Sequence, residues 1–233
     1  MRRFNFDVTN TIDVSSAESV RRAVCDLYAA RWPQAPLDQL WLAFHDFERL
    51  YTGRMPGFEG CDTVYHDIQH TLDVTLTMAR LVTGYERSAD ASEQLGPTRA
   101  VLGIICALFH DAGYIRESGD TRHHNGAEYT LCHVARSAKF LRNYLPRLGL
   151  SAAADIAAEL VHFTGYEKQP ADIELDDPLD SMTGHLLGTA DLLAQMADRC
   201  YLEKCRDRLY PEFVLGGVAI TQDNSGVQKV RYQ

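Results

Sequence analysis

Apolar residues recur every three or four positions along most of this chain, whereas the strict alternation typical of β-strands is nearly absent. Such a period is that of an α-helix buried on one face. The segments that carry it are SSAESVRRAVCDLYAARW, PLDQLWLAFHDFERLY, HDIQHTLDVTLTMARLV, PTRAVLGIICALFH, GAEYTLCHVARSAKFLRNYL, SAAADIAAELVHFTGY and SMTGHLLGTADLLAQMADRCYLEK. Stretches rich in glycine and proline at 53–60 and 168–178 separate them as loops. The pattern predicts an all-α fold, a compact helical bundle that forms one structural domain.

Three of the predicted helices carry a start signal. Ser15 and Glu18 stand at capping-box spacing at the head of the first helix. Asp67 precedes the third, where a carboxylate suits the unpaired amides of a first turn, so we predict that it caps this helix. Pro97 suits the first turn of the fourth.

Charge and composition narrow the classes of partner. The chain has 233 residues, of which 45% are hydrophobic and 24% charged, as in an ordinary globular protein with a substantial core. Its net charge of −9 argues against binding a nucleic-acid polymer, which needs a basic face. A small phosphorylated substrate stays compatible with this charge, because a bound metal ion can override the global sign locally.

Cysteine usage and hydropathy indicate a cytoplasmic protein without a membrane partner. None of the six cysteines forms a C-x-x-C pair, and several lie among apolar residues, so we expect reduced thiols. The N-terminal segment FNFDVTNTID is not a hydrophobic signal region. The longest apolar run, 101–109, is far shorter than the ~20 residues of a membrane helix.

The dipeptide His-Asp occurs three times, and the surrounding sequence separates the three copies. His45-Asp46 lies inside an amphipathic helix with no other histidine nearby, which predicts a partly exposed pair without a special role. His66-Asp67 differs, because His66 stands four residues before His70. On a helix, two rings at this spacing emerge from one face, one turn apart.

His110-Asp111 is the most unusual of the three pairs, because it ends the apolar run IICALF. Burial of a carboxylate is costly unless it is paired, hydrogen-bonded or bound to a metal. Gly113 follows and lets the chain turn away. We therefore expect two metal-competent groups at the end of a buried helix.

Asp191 is a second carboxylate that the pattern directs inwards. Its neighbours on the same helical face are small or apolar, and none is Lys or Arg: Gly184, Leu187, Gly188 and Ala194. Each mid-helix glycine costs ~1 kcal/mol relative to alanine, so a close helix approach is the expected compensation. A carboxylate on such a face needs a cation, and a metal ion is favoured over a salt bridge.

These residues form a candidate metal site on three separate helices. Its members are two imidazoles and two carboxylates: His70, His110, Asp111 and Asp191. This donor set suits a divalent Zn, Mn, Fe or Mg ion, with one or two ions per site.

The order H…HD…D on a helical chain resembles the HD superfamily of metal-dependent phosphohydrolases. YHDIQHTLDV is similar to the first metal motif of the class I cyclic-nucleotide phosphodiesterases, ALFHDAGY to the second, and GTADLLAQM to the helix of the final aspartate. The likeness covers about 65–204. It implies an all-α, phosphodiesterase-like HD domain over 61–215, with N-terminal helices in 1–60 packed on it and a polar tail over 216–233.

The resemblance also implies a role for each residue. His70, His110, Asp111 and Asp191 would bind the tighter metal ion, Asp111 would bridge to a second ion, and His66 would be the general acid that protonates the leaving oxygen. The implied reaction is cleavage of a phosphomonoester or phosphodiester of a small, nucleotide-like molecule by metal-activated hydroxide.

The chain departs from the class I phosphodiesterases at two points. Gly113-Tyr114 replaces the Asp-His that follows their HD pair. Their purine-binding glutamine and aromatic clamp have no recognisable counterpart. The resemblance therefore does not extend to cyclic-nucleotide specificity, and it leaves the oligomeric state open.

The remaining histidines leave a second binding site and the type of reaction open. Three of them are candidates for binding a second metal ion or phosphate: His123, His124 and His162. Alternatively, the first two lie in a solvated loop and the third is a core histidine. His133 and His185 lie off the expected helix faces and are predicted at the surface. Two other functions fit the same motifs: an HD-type di-iron oxygenase, with His124 and His162 as the further ligands, and a catalytically degenerate metal-binding domain.

Overall fold

The computed structural model describes residues 5–220 and 229–230, which form an all-α fold. The helices are α1 (Ala17–Arg31), α2 (Asp38–Tyr51), α3 (Ile68–Ser88), α4 (Gly96–Phe109), α5 (His133–Tyr144), α6 (Ala154–Leu160), α7 (Pro178–Ala197), α8 (Tyr201–Lys204) and α9 (Tyr210–Leu215). A short antiparallel pair joins β1 (Ala219–Ile220) to β2 (Lys229–Val230). The predicted fold class is confirmed.

Capping residues fix where the first helices begin. Asp67 accepts a hydrogen bond from the His70 amide at 2.9 Å, which confirms its predicted role as the cap of α3. Pro97 lies in the first turn of α4, also as predicted. The capping-box prediction was wrong by one residue, because Ser16 rather than Ser15 accepts from the Ser19 amide.

The core surrounds α3, which packs against α1, α4 and α7. One cluster of buried apolar side chains extends from Val14 to Ala194, so the helices from α1 to α7 share a single core. In α4 every residue from Ala100 to Phe109 is buried, which explains why its sequence is apolar on all faces. The predicted polar tail, 216–233, falls mostly outside the described residues. Among those described, no helix combines the length and the hydrophobicity that crossing a bilayer requires.

The two glycines of α7 allow the predicted close approach. A Cβ atom at Gly184 would lie 2.4 Å from the Phe163 ring, and one at Gly188 would lie 2.5 Å from the Phe163 carbonyl oxygen. Both distances are far below van der Waals contact, so larger residues would push α7 outwards. The glycines therefore set the position of α7 and, with it, that of Asp191.

A buried carboxylate attaches the N-terminal segment to α3. Asp7 is 3% exposed and accepts hydrogen bonds from the backbone amides of Thr11 and Ile12 at 3.0 and 2.9 Å. Arg80 of α3 donates to the same carboxylate at 2.6 Å. Burial by itself would raise the pKa of Asp7, but these hydrogen bonds, with that of Thr9, outweigh it and hold the pKa below its usual range.

We expect Asp7→Ala to lower the free energy of unfolding by about 2–4 kcal/mol, because it leaves Arg80 and three backbone amides, those of Thr9, Thr11 and Ile12, without their acceptor. A carboxylate with a depressed pKa stabilises the fold above its unfolded pKa of ~3.9 and loses that contribution as the pH falls further. Urea unfolding should therefore show a smaller difference between wild type and variant at pH 3 than at pH 7. Asp155→Ala, at an exposed pair with Arg142, is the control and should change little. An equal loss at both pH values would contradict this account.

Candidate metal centre

Three helices bring the four predicted ligands together. His70 lies in the first turn of α3, His110-Asp111 follows the last residue of α4, and Asp191 lies on α7. The His70 Nε2 atom is 3.4 Å from Asp191 Oδ1 and 3.5 Å from Asp111 Oδ2. The His110 Nε2 atom is 3.2 Å from Asp111 Oδ2 and 3.9 Å from Asp191 Oδ1. We call these four residues the metal cluster.

The donor atoms of the cluster suit a metal ion. One atom each from His70, His110 and Asp191 lies within 4.8 Å of the other two, so these residues can hold a metal ion. The burial of two donor atoms agrees: His110 Nε2 and Asp111 Oδ2 are buried, and neither makes a contact of hydrogen-bond geometry among the described residues, although the two atoms lie 3.2 Å apart. His110 Nδ1 donates to the Ala107 carbonyl at 2.8 Å, which orients Nε2 as the coordinating nitrogen.

The electrostatics of the cluster favour a cation. Burial by itself would lower the pKa of His110, but the carboxylates of Asp111 and Asp191 outweigh it and raise the pKa to about 9. Burial would likewise raise the pKa of Asp111, yet the neighbouring imidazoles hold it far below its usual range. The two carboxylates therefore attract positive charge to this point, as a proton or as a metal ion.

Exposure differs between the two carboxylates of the cluster. Asp111 is 3% exposed and lies at its buried end, whereas the Asp191 side chain is 21% exposed. Asp191 is therefore directed inwards but is not fully buried, and it lies at the more exposed end of the cluster. Its partial exposure gives water and a small ligand access to the cluster.

His66 lies beside the cluster but not on α3, which begins two residues later. The prediction that it shares a helix face with His70 was wrong, although the two ring centroids are only 5.7 Å apart. Its Nδ1 atom is 2.5 Å from Glu212 Oε2, and the Tyr65 amide donates to Glu212 Oε1 at 2.5 Å. Both oxygens of this carboxylate, which is 1% exposed, thus hold the loop that carries His66.

Glu212 affects the pKa of His66 as well as its position. Burial by itself would lower the pKa of His66, but Asp111 and the hydrogen bond to Glu212 outweigh it and raise the pKa. Because Nδ1 faces Glu212, Nε2 is the ring nitrogen left for a ligand. Sequence reasoning missed Glu212, which is 146 positions from His66 and belongs to a segment without a motif.

An irregular helix carries Glu212 to this position. Cys205–Leu209 is π-helical and joins α8 to α9, whose first turn contains Pro211. Proline cannot donate to the helical ladder, so the hydrogen-bond register is interrupted just before it. Glu212 follows Pro211 in the first turn of α9 and contacts the loop of His66 from there.

His133 is a further residue of the site, and its predicted surface position was wrong. Its Nδ1 donates to the Thr130 carbonyl at 2.7 Å, and its Nε2 lies 3.9 Å from Asp111 Oδ1. The ring stacks on Tyr114 at 4.4 Å between centroids, and His66 stacks on Tyr114 as well, at 4.3 Å. Asp111 thus presents Oδ2 to His70 and His110 and Oδ1 to His133.

Gly113 makes this position of His133 attainable. A Cβ atom at Gly113 would lie 1.8 Å from the His133 carbonyl oxygen, so no other residue fits beneath the start of α5. The Gly113 amide donates to Ser137 Oγ at 2.8 Å, and its carbonyl accepts from Arg136 Nε at 2.6 Å. Gly113 was predicted to serve as a turn residue. Its φ is not positive, so a glycine is needed here for the close packing against α5 and not for its backbone conformation.

We expect Gly113→Ala to destabilise the fold by about 3 kcal/mol or more, because the new methyl group overlaps the α5 backbone. Gly84→Ala is the matched control in α3, where the nearest atom to an added Cβ is 3.9 Å away. That substitution should be neutral or stabilise by up to ~1 kcal/mol. Chemical unfolding of both variants tests this prediction. Equal free energies of unfolding for the two variants would show that α5 leaves room for a side chain at position 113.

The other three candidate histidines have their described contacts elsewhere. His123 Nδ1 is 2.9 Å from Asp120 Oδ2, and its ring packs on Tyr129. His124 is exposed, and its amide donates to Glu128. His162 is buried, and its charged neighbours are Lys168, Glu159 and Arg142. The described contacts therefore place none of the three in the cluster.

The other two HD pairs have structural roles. Asp67 is a helix cap, as described above. Asp46 is 2% exposed rather than partly exposed as predicted, because Arg49 and the Tyr144 hydroxyl both lie 3.2 Å from its carboxylate. It is a buried, compensated carboxylate, whereas Asp111 keeps an oxygen without a partner among the described residues.

Comparison of the chain with models of known protein families, with curated proteins and with solved structures gives no match. Its function is therefore inferred from the geometry and chemistry of the site.

Proposed function

We propose that this protein is a metal-dependent phosphohydrolase that cleaves a phosphomonoester or phosphodiester bond of a small, nucleotide-like molecule. The observation that carries the proposal is the buried cluster of His70, His110, Asp111 and Asp191, with a carboxylate-bound histidine, His66, beside it. The order of these residues on helices also supports membership of the HD superfamily, which is part of the proposal.

The cluster would hold a divalent ion, with Zn, Mn, Fe and Mg as the candidates. A divalent ion bound there lowers the pKa of its water towards ~7 and neutralises charge on the phosphoryl oxygens. His133 and Asp111 Oδ1 would contribute to a second ion, since the two Asp111 oxygens face different imidazoles. This assignment replaces His123, His124 and His162.

His66 is assigned as the general acid. Its Nδ1 is bound to Glu212, so the imidazole is oriented and Nε2 can donate a proton to the leaving oxygen. Glu212 then acts as a positioning residue, which fixes the ring and stabilises the protonated imidazole.

Two cations lie in a small cavity beside the cluster. Lys204 and Arg208 line it together with His70, and so do three carboxylates, Asp67, Asp73 and Asp198. Each cation already has an acidic neighbour, with Lys204 Nζ 2.5 Å from Asp198 and Arg208 3.6 Å from Asp67. This cavity therefore adds no net positive charge to the site, and the support for an anionic substrate comes from the cluster and His66.

No observation favours the di-iron oxygenase. That alternative needs His124 and His162 as ligands, and the described contacts of both lie outside the cluster.

The test combines metal analysis of the purified protein with a hydrolysis screen over nucleotides, sugar phosphates and phosphodiesters, read as phosphate release for monoesters and by chromatography of the products for diesters. We expect one or two equivalents of a divalent ion and hydrolysis that stops on chelation and returns with metal. Stoichiometric metal with no hydrolysis across the panel would overturn the proposal in favour of a degenerate domain. Two irons with oxygen-dependent substrate loss would overturn it in favour of the oxygenase.

A further inference from the structure

A cavity of about 190 Å³ lies along one face of α5 and is separate from the metal cluster. Its lining includes Ala112 and Gly113, the residues that follow Asp111, but none of the four cluster residues. The cavity is larger than an apolar cavity of about 150 Å³ that accommodates benzene. It therefore has room for one aromatic ring, with an open side for a substituent.

Two parallel rows of side chains from α5 and the turn after it line this cavity. One row has a cation followed by two aromatic rings: Arg136, Phe140 and Tyr144. The other is polar and cationic: Lys139, Asn143 and Arg147. Residues four apart lie on one helix face, so the aromatic row and the cationic row run side by side.

The charge of the cavity is opposite to that of the chain. Three cations line it, Arg136, Lys139 and Arg147, against one carboxylate, Glu117, although the net charge of the whole chain is −9. Among the described residues, Lys139 has no ion pair or hydrogen-bond partner, and Arg147 comes no closer than 3.8 Å to a carboxylate, that of Asp46. The cationic row is thus largely uncompensated by the protein itself.

The facing wall is held by backbone hydrogen bonds. Phe58 and Glu117 form an antiparallel bridge, the Glu59 amide donates to the Arg116 carbonyl at 2.9 Å, and the Ser118 amide donates to the Gly57 carbonyl at 2.9 Å. The Phe58 ring meets Phe140 edge-on, with centroids 5.8 Å apart. The cavity is therefore preformed, and a ligand would not have to order its walls.

We propose that this cavity binds a small aromatic anion, a carboxylate or a phosphate on a single ring. The ring would lie against Phe58 and Phe140, and the anionic group would face Lys139 and Arg147. Shape, aromatic lining and uncompensated positive charge together select this class over a neutral or cationic ligand. The proposal does not depend on hydrolysis at the metal cluster.

The experiment follows backbone amide shifts of the full chain by NMR during titration with benzoate, phenylphosphonate and benzamide. These probes share a ring and differ in charge, and the two anions separate a carboxylate preference from a phosphate preference. We expect at least one anion to bind with millimolar affinity or better, to shift Phe58, Lys139 and Phe140, and to weaken with added salt. Neutral benzamide should bind at least about tenfold more weakly.

Lys139→Glu tests the charge directly, because this exposed side chain has no described partner whose loss would unfold the protein. It should weaken the anion at least about tenfold at unchanged melting temperature. Arg22→Glu is the matched reversal of an exposed cation on α1 and should leave the affinity unchanged. Equal binding of benzamide, an unaffected Lys139→Glu variant, shifts confined to the metal cluster, or no shift at 10 mM probe would each overturn the proposal.

Discussion

Asp111→Asn is expected to lose the divalent ion that we propose the cluster binds and, with it, nearly all hydrolytic activity. The substitution keeps the size of the side chain but removes the charge and one of the oxygens that hold the ion. The melting temperature of the wild type should rise when metal is added, because a ligand of the folded state stabilises it by mass action. The variant should show little of this rise. Metal content per chain and thermal unfolding with and without metal are the two measurements.

Asp46→Asn is the matched control, because Asp46 also follows a histidine and is just as buried, at 2% exposure against 3% for Asp111. Its carboxylate is compensated by Arg49 and Tyr144 rather than left for an ion. This variant should lose stability but keep its metal. Asp191→Asn should behave like Asp111→Asn. Stoichiometric metal in both cluster variants, or loss of metal from Asp46→Asn, would refute the site.

The metal cluster was predictable because each member has a local signature. His70 follows another histidine by four residues, and His110-Asp111 interrupts an apolar run. Asp191 stands on a helix face of small residues, which the contacts of Gly184 and Gly188 with Phe163 explain. Local patterns of this kind predict which side chains are buried. A buried polar group needs a hydrogen bond, an opposite charge or a metal ion, so burial also predicts a binding partner.

His133 and Glu212 were not predictable, because their roles arise from tertiary packing. His133 reaches Asp111 only because Gly113 lets the backbone of α5 come close, and nothing in the sequence near His133 records this contact. Glu212 contacts the loop of His66 from α9, 146 positions along the chain. Its local sequence is that of an ordinary helical glutamate, and glutamate side chains are mostly exposed.

The failed predictions have the same origin. The local sequence of Asp46 is that of a surface residue, yet Tyr144 at the end of α5 and Arg147 just after it lie against its carboxylate. His124 and His162 are plausible ligands by residue type alone, and their distance along the chain says nothing about where the fold places them. Helical period predicts which face of a helix is buried, but not which distant residue lies against it.

His66→Ala separates the proposed general acid from a metal ligand or a structural residue. If His66 donates the proton, the variant should keep its metal, and turnover of alkyl or nucleoside phosphate esters should fall by ~10²–10⁴. Nitrophenyl esters should lose much less, because nitrophenolate is a stable leaving anion that hardly needs a proton. A ribose or alkyl oxygen leaves as a strongly basic alkoxide and does need one.

Glu212→Gln supplies the second arm of the same test. Glutamine keeps a hydrogen-bonding side chain beside His66 Nδ1 but loses the carboxylate charge that favours the protonated ring. It should therefore impair alkyl esters more than nitrophenyl esters, in the same direction as His66→Ala and to a smaller extent, with unchanged metal content. The pH profile for alkyl esters should also lose its alkaline side first, because a less stabilised imidazolium gives up its proton at lower pH. Equal losses on both ester types, or loss of metal in parallel with activity, would show that neither residue serves proton transfer.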